Sequence, residues 1–419
     1  MPVTVDLNQV ILALTDTLDL VGIDETAHGK RVGYMAFMCA EHLGMNKAER
    51  ERLFNIGLLH DIGVSSSREH ANLIHELEWE GAQDHAIEGA RLLAGFGPLS
   101  ELSGVIRYHH TPWSQLVQQH DIDPLVCRDA NLVFLVDRVD SMAAPHYGVD
   151  LLEAVPDIRQ QVQELSGTLF DPKLVKLFLR VSSPDAFWMM LESPHLDRFM
   201  SDMERHCEPR PVSNSPLKQL AGIFAYVVDA KSTFTMAHSY GVAALSLHLA
   251  RGAKLSAEQQ DKIEIAGLLH DIGKLRIPDE LLDKPGPLTD TERRTMRRHS
   301  FETYQVLRRI DGLADIALWA SYHHETTDGG GYPFGRGGLD LGVEARIIAV
   351  SDIFQALAQE RPYRHAVPPE KIIGYLQELV EHEKLDGDIV ALVEQDLDNC
   401  YLVATGQAGT QARSAFASA

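Results

Sequence analysis

Histidine and aspartate recur in one order in both halves of the chain. The octapeptide GLLHDIGV at residues 57–64 returns as GLLHDIGK at residues 267–274, and its last position changes from Val64 to Lys274. Matching residues lie 210 positions apart at the first histidine and 215 apart at the last aspartate, which indicates a tandem duplication. The recurring residues are His28, His60, Asp61, His85, His109, His110 and Asp137 in the first half, and His238, His270, Asp271, His299, His323, His324 and Asp352 in the second.

These residue types favour a metal centre. Imidazole and carboxylate groups suit divalent iron, manganese, zinc and nickel, whereas the scattered cysteines do not suggest a structural zinc site. A lone histidine on an apolar helix face is more often a core residue, but the repeated order reverses that expectation. Because neighbours on a helix diverge by about 100°, His270 and Asp271 can share one ion only near a helix end, or can serve two neighbouring ions. His323 and His324 repeat the pattern, and we interpret each set as a two-metal centre.

A two-metal centre with an open coordination position would be suited to hydrolysis of a phosphate ester. Such a pair lowers the pKa of a bridging water from about 15.7 towards about 7 and holds the attacking and leaving oxygens in line. Asp271, which has one oxygen for each ion, is a candidate catalytic residue. Lys274 follows about one turn later, where its ammonium group would steady a phosphate oxygen as charge builds. The alternative is an exposed lysine without a role in catalysis.

Helices are expected to position these residues. Apolar side chains recur at spacings of three and four along most of the chain, as in residues 32–43, whereas the alternation typical of strands is rare. Asn46 with Glu49 and Ser256 with Gln259 predict capping boxes at matching places of the two halves. We therefore expect an all-α fold of two tandem helical domains.

The chain length of 419 residues exceeds one ordinary core and predicts about two to three domains. We expect residues 1–205 to form the first domain and residues 217–403 to form the second. The polar, proline-bearing segment 206–216 is predicted to be a linker. The small and polar segment 404–419 is predicted to be a disordered tail.

The formal charge of −22 argues against a nucleic acid polymer as partner, because such binding depends on neutralising many phosphates. It leaves room for a small phosphorylated ligand, which a few local Lys and Arg side chains can hold. No apolar run approaches the roughly 20 residues that span a bilayer, and the N-terminus lacks a signal-peptide pattern. Together with four scattered cysteines, these features lead us to expect a cytoplasmic protein without membrane contact.

The second half resembles the HD-GYP branch of the HD-domain phosphohydrolases. The stretch HHETTDGGGYP at residues 323–333 matches the HHExxDGxGYP pattern of that branch at every fixed position, and RPYR follows at residues 361–364. The resemblance implies two HD-type domains and a bacterial phosphodiesterase with two divalent ions, iron or manganese, in each active domain. The implied reaction opens cyclic di-GMP or 3′3′-cyclic GMP-AMP to a linear dinucleotide by a metal-activated hydroxide. A homodimer and a diguanylate-cyclase-type partner that contacts the GYP loop are further expectations.

Residue roles carry over by position. Lys274 matches the lysine that contacts phosphate, Tyr332 falls at a guanine or loop contact, and Arg361 and Arg364 match basic residues that hold the substrate's phosphates. Members with three ions carry an acidic residue where this chain has Phe234, so a third ion is not expected. The metal ligands that the resemblance implies are His238, His270, Asp271, His299, His323, His324 and Asp352.

The first half keeps the ligand set but lacks the substrate groups. Val64 stands in place of the lysine, HHTPW at residues 109–113 replaces the GYP stretch, and nothing like RPYR follows Asp137. In the second half, Gln355 stands where the branch usually has aspartate. The seven residues of the first half form a second candidate metal site. Either this copy binds metal and acts on a smaller phosphoester, or it is a metal-stabilised regulatory and dimerisation module.

Two other functions fit part of the pattern. A general nucleotide or phosphomonoester hydrolase fits the wider HD superfamily, and comparing rates on a cyclic dinucleotide and a mononucleotide would separate it from the first interpretation. A non-catalytic cyclic dinucleotide sensor fits less well, because missing ligands would favour it and no ligand is missing.

Overall fold

The computed structural model describes residues 3–18, 27–64, 82–213, 215–231, 238–360 and 365–407. Within these residues the fold is helical apart from two three-residue strands, and the predicted all-α class is confirmed. No helix in the described ranges combines the length and apolar character that crossing a membrane requires.

The chain divides into two compact units. The first unit is Leu14–Pro209, and the second unit combines Met1–Ala13 with Arg210–Ala419. The N-terminal segment joins the second unit because strand β1, Thr4–Asp6, pairs antiparallel with strand β2, Pro211–Ser213.

Further contacts anchor the N-terminal segment in the second unit. The Gln9 side chain donates to the Asp311 carboxylate and accepts from the Asp311 backbone N–H, each at 2.9 Å. At Gly312 a Cβ would lie only 2.6 Å from the Thr4 carbonyl oxygen, so this close approach requires glycine. The structure therefore differs from the predicted first domain of residues 1–205, whose first 13 residues belong with the second unit.

The predicted linker and tail also carry regular structure in part. Strand β2 lies inside the predicted linker 206–216. The last helix ends at Ala404, the first residue of the predicted tail. Residues 408–419 of that tail lie outside the described residues.

Eleven α-helices are described up to residue 206. They are α1 (Leu7–Leu18), α2 (His28–His42), α3 (Lys47–Leu59), α4 (Ala82–Ala94), α5 (Ser103–Tyr108), α6 (Trp113–Leu116), α7 (Pro124–Ala143), α8 (Leu151–Glu164), α9 (Pro172–Val181), α10 (Asp185–Met189) and α11 (Ser193–His206), with 3₁₀ turns at Gly97–Leu102 and Ala144–His146.

The described helices after β2 repeat this order around the recurring histidines and aspartates. They are α12 (Ser215–Ala230), α13 (His238–Gly252), α14 (Ala257–Leu269), α15 (Asp279–Leu282), α16 (Asp290–Met296), α17 (Arg298–Leu307), α18 (Ala314–Ser321), α19 (Val343–Ala358), α20 (Pro369–Glu381), α21 (Gly387–Gln395) and α22 (Leu397–Ala404), with 3₁₀ turns at Ile272–Arg276 and Gly338–Asp340.

Both predicted capping boxes are confirmed. The Asn46 side chain accepts the Glu49 backbone N–H at 3.0 Å at the start of α3, and the Glu49 carboxylate accepts the Asn46 N–H at 2.8 Å. The Ser256–Gln259 pair does the same at the start of α14. Each box satisfies orphan donors at the start of the helix whose other end carries a His–Asp pair.

Glycine sets the packing of the helix pairs that carry these residues. On α3, a Cβ at Gly57 would lie 2.6 Å from the Cα of Gly33 on α2. On α14, a Cβ at Gly267 would lie 2.8 Å from the Cα of Ala243 on α13. The first glycine of GLLHDIG is thus required in both copies, because the two backbones cross too closely for a side chain.

Candidate metal centres

Five segments of the second unit bring all seven predicted ligands together. His238 begins α13, His270 and Asp271 follow α14, and Asp352 lies on α19. The other three come from α17 and from the residues just after α18. Ligand atoms lie within 4.8 Å of one another in three overlapping groups: His238, His270 and Asp352; His270, Asp271 and His323; and His299, His323 and His324.

Asp271 stands between two groups of imidazoles and presents a different oxygen to each. Its Oδ2 lies 3.2 Å from Nε2 of His270 and 3.6 Å from Nε2 of His238. Its Oδ1 lies 3.5 Å from Nε2 of His299 and 3.9 Å from Nε2 of His323. A carboxylate placed this way can bridge two ions.

Asp352 closes the first of these groups. Its Oδ1 lies 3.2 Å from Nε2 of His238 and 3.8 Å from Nε2 of His270. The second group is closed by His324, whose ring lies 5.1 Å from that of His299, centroid to centroid. Each ion position thus has imidazole nitrogens and at least one carboxylate oxygen, a donor set that suits divalent iron or manganese.

The backbone fixes which imidazole nitrogen faces the centre. Three ligating rings donate from Nδ1 to the carbonyl three residues earlier, which leaves each Nε2 lone pair for a metal. The bonds are His270 to Gly267 (2.8 Å), His299 to Met296 (2.6 Å) and His323 to Ala320 (2.7 Å). The fourth ring, His238, is held through Nδ1 by the side-chain oxygen of Gln355.

Two buried atoms at this centre have no hydrogen-bond partner among the described residues. They are Nε2 of His270 and Oδ1 of Asp271. Buried polar atoms normally have a partner. The lone pairs of these two atoms would be satisfied by a bound metal cation. The residues present therefore fit the metal ions that the sequence predicts.

The second glycine of GLLHDIG brings two ligand-bearing segments into contact. A Cβ at Gly273 would lie only 2.0 Å from the carbonyl oxygen of His299, far inside any real contact. Thr303 completes the junction, since its hydroxyl accepts from the Gly273 N–H at 3.1 Å and donates to the His270 carbonyl at 3.0 Å. The turn after Asp271 is thereby held against α17.

Asp271, His299 and His324 have the protonation states that metal ligands need. Burial alone would lower the pKa of His270, but the neighbouring carboxylates Asp271 and Asp352 raise it. Burial alone would raise the pKa of Asp271, but the charges of His270 and Lys274 hold it well below its usual range. Burial lowers the pKa of His299 to about 4, and burial with the charge of His299 lowers that of His324 to about 3. At neutral pH the carboxylate is ionised and these imidazoles are neutral, as metal binding requires.

Lys274 lies at the mouth of the centre. Its ammonium group donates to Oδ2 of Asp271, and its side chain keeps 23% of its exposure. Asp352 is 13% exposed on its side chain, whereas Asp271 is only 3% exposed. Lys274 and Asp352 are therefore partly open to solvent, whereas Asp271 is buried.

Tyr332 lies beside the ligands, and sequence reasoning missed the residue that stacks on it. The Tyr332 ring centroid is 4.8 Å from that of His324, and the Arg297 guanidinium carbon is 4.7 Å from the Tyr332 centroid. The only available signal was that Arg297 stands two residues before His299. The predicted contacts Arg361 and Arg364, and Phe234 at the doubted third-ion position, lie outside the described residues.

The first unit repeats the same arrangement around Asp61. Its Oδ2 lies 3.4 Å from Nε2 of His60 and 3.7 Å from Nε2 of His28. Its Oδ1 lies 3.2 Å from Nε2 of His85 and 3.8 Å from Nε2 of His109. Two groups again have ligand atoms within 4.8 Å: His28, His60 and Asp61, and Asp61, His85, His109 and His110.

Asp137 completes the first centre. Its Oδ1 lies 3.3 Å from Nε2 of His28, and its Oδ2 lies 4.0 Å from Nδ1 of His110. Buried atoms without a partner among the described residues again include an oxygen of the bridging carboxylate, Oδ1 of Asp61. The structure thus brings together all seven predicted residues of this half as well.

The surroundings of the first centre differ, and sequence reasoning missed the residues responsible. Val64 is buried at the lysine position, whereas Arg138 donates to Oδ2 of Asp137 from Nη2 at 3.0 Å. Behind His28, Nδ1 lies 2.7 Å from Oδ2 of Asp140, which also accepts from Arg31.

The matching positions in the second unit changed together. Gly241 replaces Arg31, and Gln355 replaces Asp140. A Cβ at Gly241 would lie 2.8 Å from Cγ of Gln355, so the glycine makes room for the longer amide side chain. The histidine that begins each ligand set is therefore held by an ion-paired carboxylate in one unit and by a neutral amide in the other.

Comparison with known proteins identifies relatives along the whole chain. Family models described as HD domains match residues 26–142 and 221–389. The 3′3′-cGAMP-specific phosphodiesterase 1 of Vibrio cholerae is 34% identical over 412 residues, covering 97% of this chain and 95% of that protein. A cyclic di-GMP phosphodiesterase of Pseudomonas aeruginosa is 38% identical over 158 residues, which cover 36% of this chain and 37% of that protein.

A solved structure also resembles the chain over most of its length. It is the crystal structure of a cyclic GMP-AMP-specific phosphodiesterase of Vibrio cholerae, V-cGAP3. The TM-score is 0.64 at 25% identity, and the match covers 94% of this chain and 98% of the other.

Proposed function

The chain belongs to the family of HD-domain cyclic dinucleotide phosphodiesterases, and we propose that it opens a cyclic dinucleotide at the centre in the second unit. The observation that carries the proposal is the position of Asp271, whose two oxygens face two groups of imidazoles beside an accessible lysine. Such a site suits attack of water on a phosphodiester with departure of the 3′ oxygen.

Two divalent ions, iron or manganese, would be held by His238, His270, Asp271, His299, His323, His324 and Asp352, and would supply an activated water nucleophile and charge neutralisation at phosphorus. The protein's own part is positioning. Asp271 would contribute one oxygen to each ion, and backbone carbonyls hold the imidazoles of His270, His299 and His323 with Nε2 towards the cluster. Lys274 binds a phosphate oxygen as negative charge develops there.

The proposed substrate is 3′3′-cyclic GMP-AMP in preference to cyclic di-GMP. A relative that matches 97% of the chain is named as specific for 3′3′-cGAMP. The cyclic di-GMP phosphodiesterases among the relatives match 25–38% of the chain, as does another 3′3′-cGAMP-specific one at 37%. Tyr332 and, outside the described residues, Arg361 and Arg364 are the proposed contacts to base and phosphates. A homodimer and a diguanylate-cyclase-type partner stay predictions.

We propose further that the seven residues around Asp61 also bind metal. The matching distances and the partnerless Oδ1 of Asp61 support this. Because Val64 removes the cation at the lysine position, this centre does not open the cyclic dinucleotide in the proposed scheme.

The test uses the full chain loaded with Mn²⁺ or Fe²⁺. We expect opening of 3′3′-cyclic GMP-AMP to a linear dinucleotide, loss of that activity in Asp271→Asn, and a kcat lower by about 100-fold in Lys274→Ala, by analogy with removal of one donor to a developing oxyanion. Lys262→Ala is the matched control, because Lys262 is a half-buried lysine like Lys274 and pairs with Asp315 at 2.8 Å. Unchanged turnover in Asp271→Asn would refute the site, and faster turnover of a mononucleotide would favour a phosphomonoesterase.

A further inference from the structure

Arg297 stacks on Tyr332, whose ring in turn lies beside the candidate ligand His324. Its guanidinium carbon lies 4.7 Å from the Tyr332 centroid, and Tyr332 lies 4.8 Å from the ligand His324 with the rings inclined by 35°. Arg297 is exposed, so these two contacts connect a surface cation with a candidate metal ligand. Because Arg297 ends the segment just before α17, its distance from His299 is fixed by the chain.

The charge of Arg297 is not used within the described part of the chain. No carboxylate there lies within ion-pair distance of its guanidinium, whereas the next residue, Arg298, lies 3.8 Å from Glu302. Stacking on an aromatic ring leaves the edge of a guanidinium free, and that edge binds phosphate oxygens with two parallel hydrogen bonds. An exposed, stacked and unpaired arginine beside a hydrolytic centre is therefore suited to an anionic group of the substrate.

Lys274 and Arg297 lie near different members of the ligand cluster. Lys274 donates to Oδ2 of Asp271, the oxygen that faces His238 and His270. Arg297 lies beyond Tyr332 on the side of His324. A cyclic dinucleotide has two phosphodiester groups across one ring, so a substrate whose scissile phosphate lies at Asp271 and Lys274 carries its other phosphate to one side of the cluster.

We propose that Arg297 binds the second, non-scissile phosphate of the cyclic dinucleotide and so selects for a substrate with two phosphodiesters. This inference rests on the proposed function of the second-unit centre. Arg297 is not required for hydrolysis itself, since it touches none of the candidate ligands directly. A phosphodiester with a single phosphate gains nothing from it.

The experiment compares two substrates on the full Mn²⁺-loaded chain, namely 3′3′-cyclic GMP-AMP and bis(p-nitrophenyl) phosphate, which has one phosphodiester. Arg297→Ala is expected to raise KM for the cyclic dinucleotide by about 10- to 100-fold, the range for loss of hydrogen bonds to a charged group. Its kcat/KM on bis(p-nitrophenyl) phosphate should equal that of the unchanged protein. Arg297→Lys keeps the charge but not the planar guanidinium, so its KM for the cyclic dinucleotide should lie between those of the unchanged protein and Arg297→Ala.

Arg298→Ala is the matched control and should behave as the unchanged protein on both substrates. Parallel losses on both substrates in Arg297→Ala would overturn the proposal, because they would show that Arg297 only positions Tyr332 and the loop. An unchanged KM for the cyclic dinucleotide would overturn it as well. Failure of the proposed function has a different signature, in which the unchanged protein does not open the cyclic dinucleotide.

Discussion

Gly273→Ala tests whether the close contact behind Asp271 sets the geometry of the second-unit centre. The added Cβ would lie 2.0 Å from the His299 carbonyl oxygen and 2.8 Å from the Thr303 nitrogen, both backbone atoms of α17 that cannot rotate away. Real Cβ contacts are not shorter than 3.0 Å, so the turn and α17 must separate by about 1 Å. That separation moves Asp271 away from His299.

A displacement of about 1 Å in a catalytic arrangement can cost about 100-fold in rate. We therefore expect kcat on 3′3′-cyclic GMP-AMP to fall by about 100-fold in Gly273→Ala, together with weaker Mn²⁺ binding. The assay is steady-state turnover with metal content measured on the same samples. The matching substitution Gly63→Ala, with a Cβ 2.0 Å from the His85 carbonyl oxygen, should weaken Mn²⁺ binding at the first centre.

Gly374→Ala is the control for a glycine-to-alanine change as such. Gly374 lies within α20, and a Cβ there would meet nothing within 4 Å. It should keep full activity and gain about 0.5–1 kcal/mol of stability, since alanine favours the helix over glycine. Full activity and metal content in Gly273→Ala, or equal damage in Gly374→Ala, would refute the reasoning.

Three further predictions follow from contacts around the two centres. Chelation of divalent ions should lower the melting temperature of the full chain. If the free ion stood at 100 times its Kd, the loss of unfolding free energy would be about 2.7 kcal/mol per site. Identical melting curves with and without chelator would contradict metal binding. Asp140→Asn should weaken metal affinity at the first centre by about 10- to 100-fold, because an ionised carboxylate no longer orients His28. Unchanged metal affinity at the first centre in a titration of Asp140→Asn would contradict this. Burial lowers the pKa of Lys231 to about 8, so its charged form costs free energy below pH 8 and that cost disappears as the pH rises to about 10.5, the unfolded value. Unfolding free energies of the unchanged protein relative to Lys231→Met should therefore rise over that interval by up to about 1.4 kcal/mol per pH unit, and a difference independent of pH in urea titrations would show that Lys231 is not buried as a charge.

The grouping of seven candidate ligands in each half was predictable because their order occurs twice in the sequence. A single His–Asp pair has many structural explanations, but the same order in both halves restricts them to one arrangement. Helix starts were predictable for a local reason, since a capping box such as Asn46 with Glu49 needs only four neighbouring residues. These features depend on short stretches of chain or on repetition.

The contacts that hold the first histidine of each centre were not predictable, because they join distant helices. Asp140 reaches His28 across 112 positions of sequence, and Gln355 reaches His238 across 117. Arg297 meets Tyr332 only after the loop that follows His324 folds back. Strands β1 and β2 were missed for a related reason, since three residues are too few for a recognisable alternation.

The pairing of β1 with β2 makes the first unit an insertion within the second. The chain starts the second unit with β1, leaves it along α1, and returns at β2 directly beside the point of departure, with Asp6 paired to Pro211. Leu7, Val10 and Ile11 are almost fully buried, and each contributes about 1.5–3 kcal/mol through burial of apolar surface. A chain cut near residue 217 would lose all three together with β1. The second unit, which carries the proposed hydrolytic centre, is therefore best isolated as residues 1–13 joined by a short turn to residues 210–407.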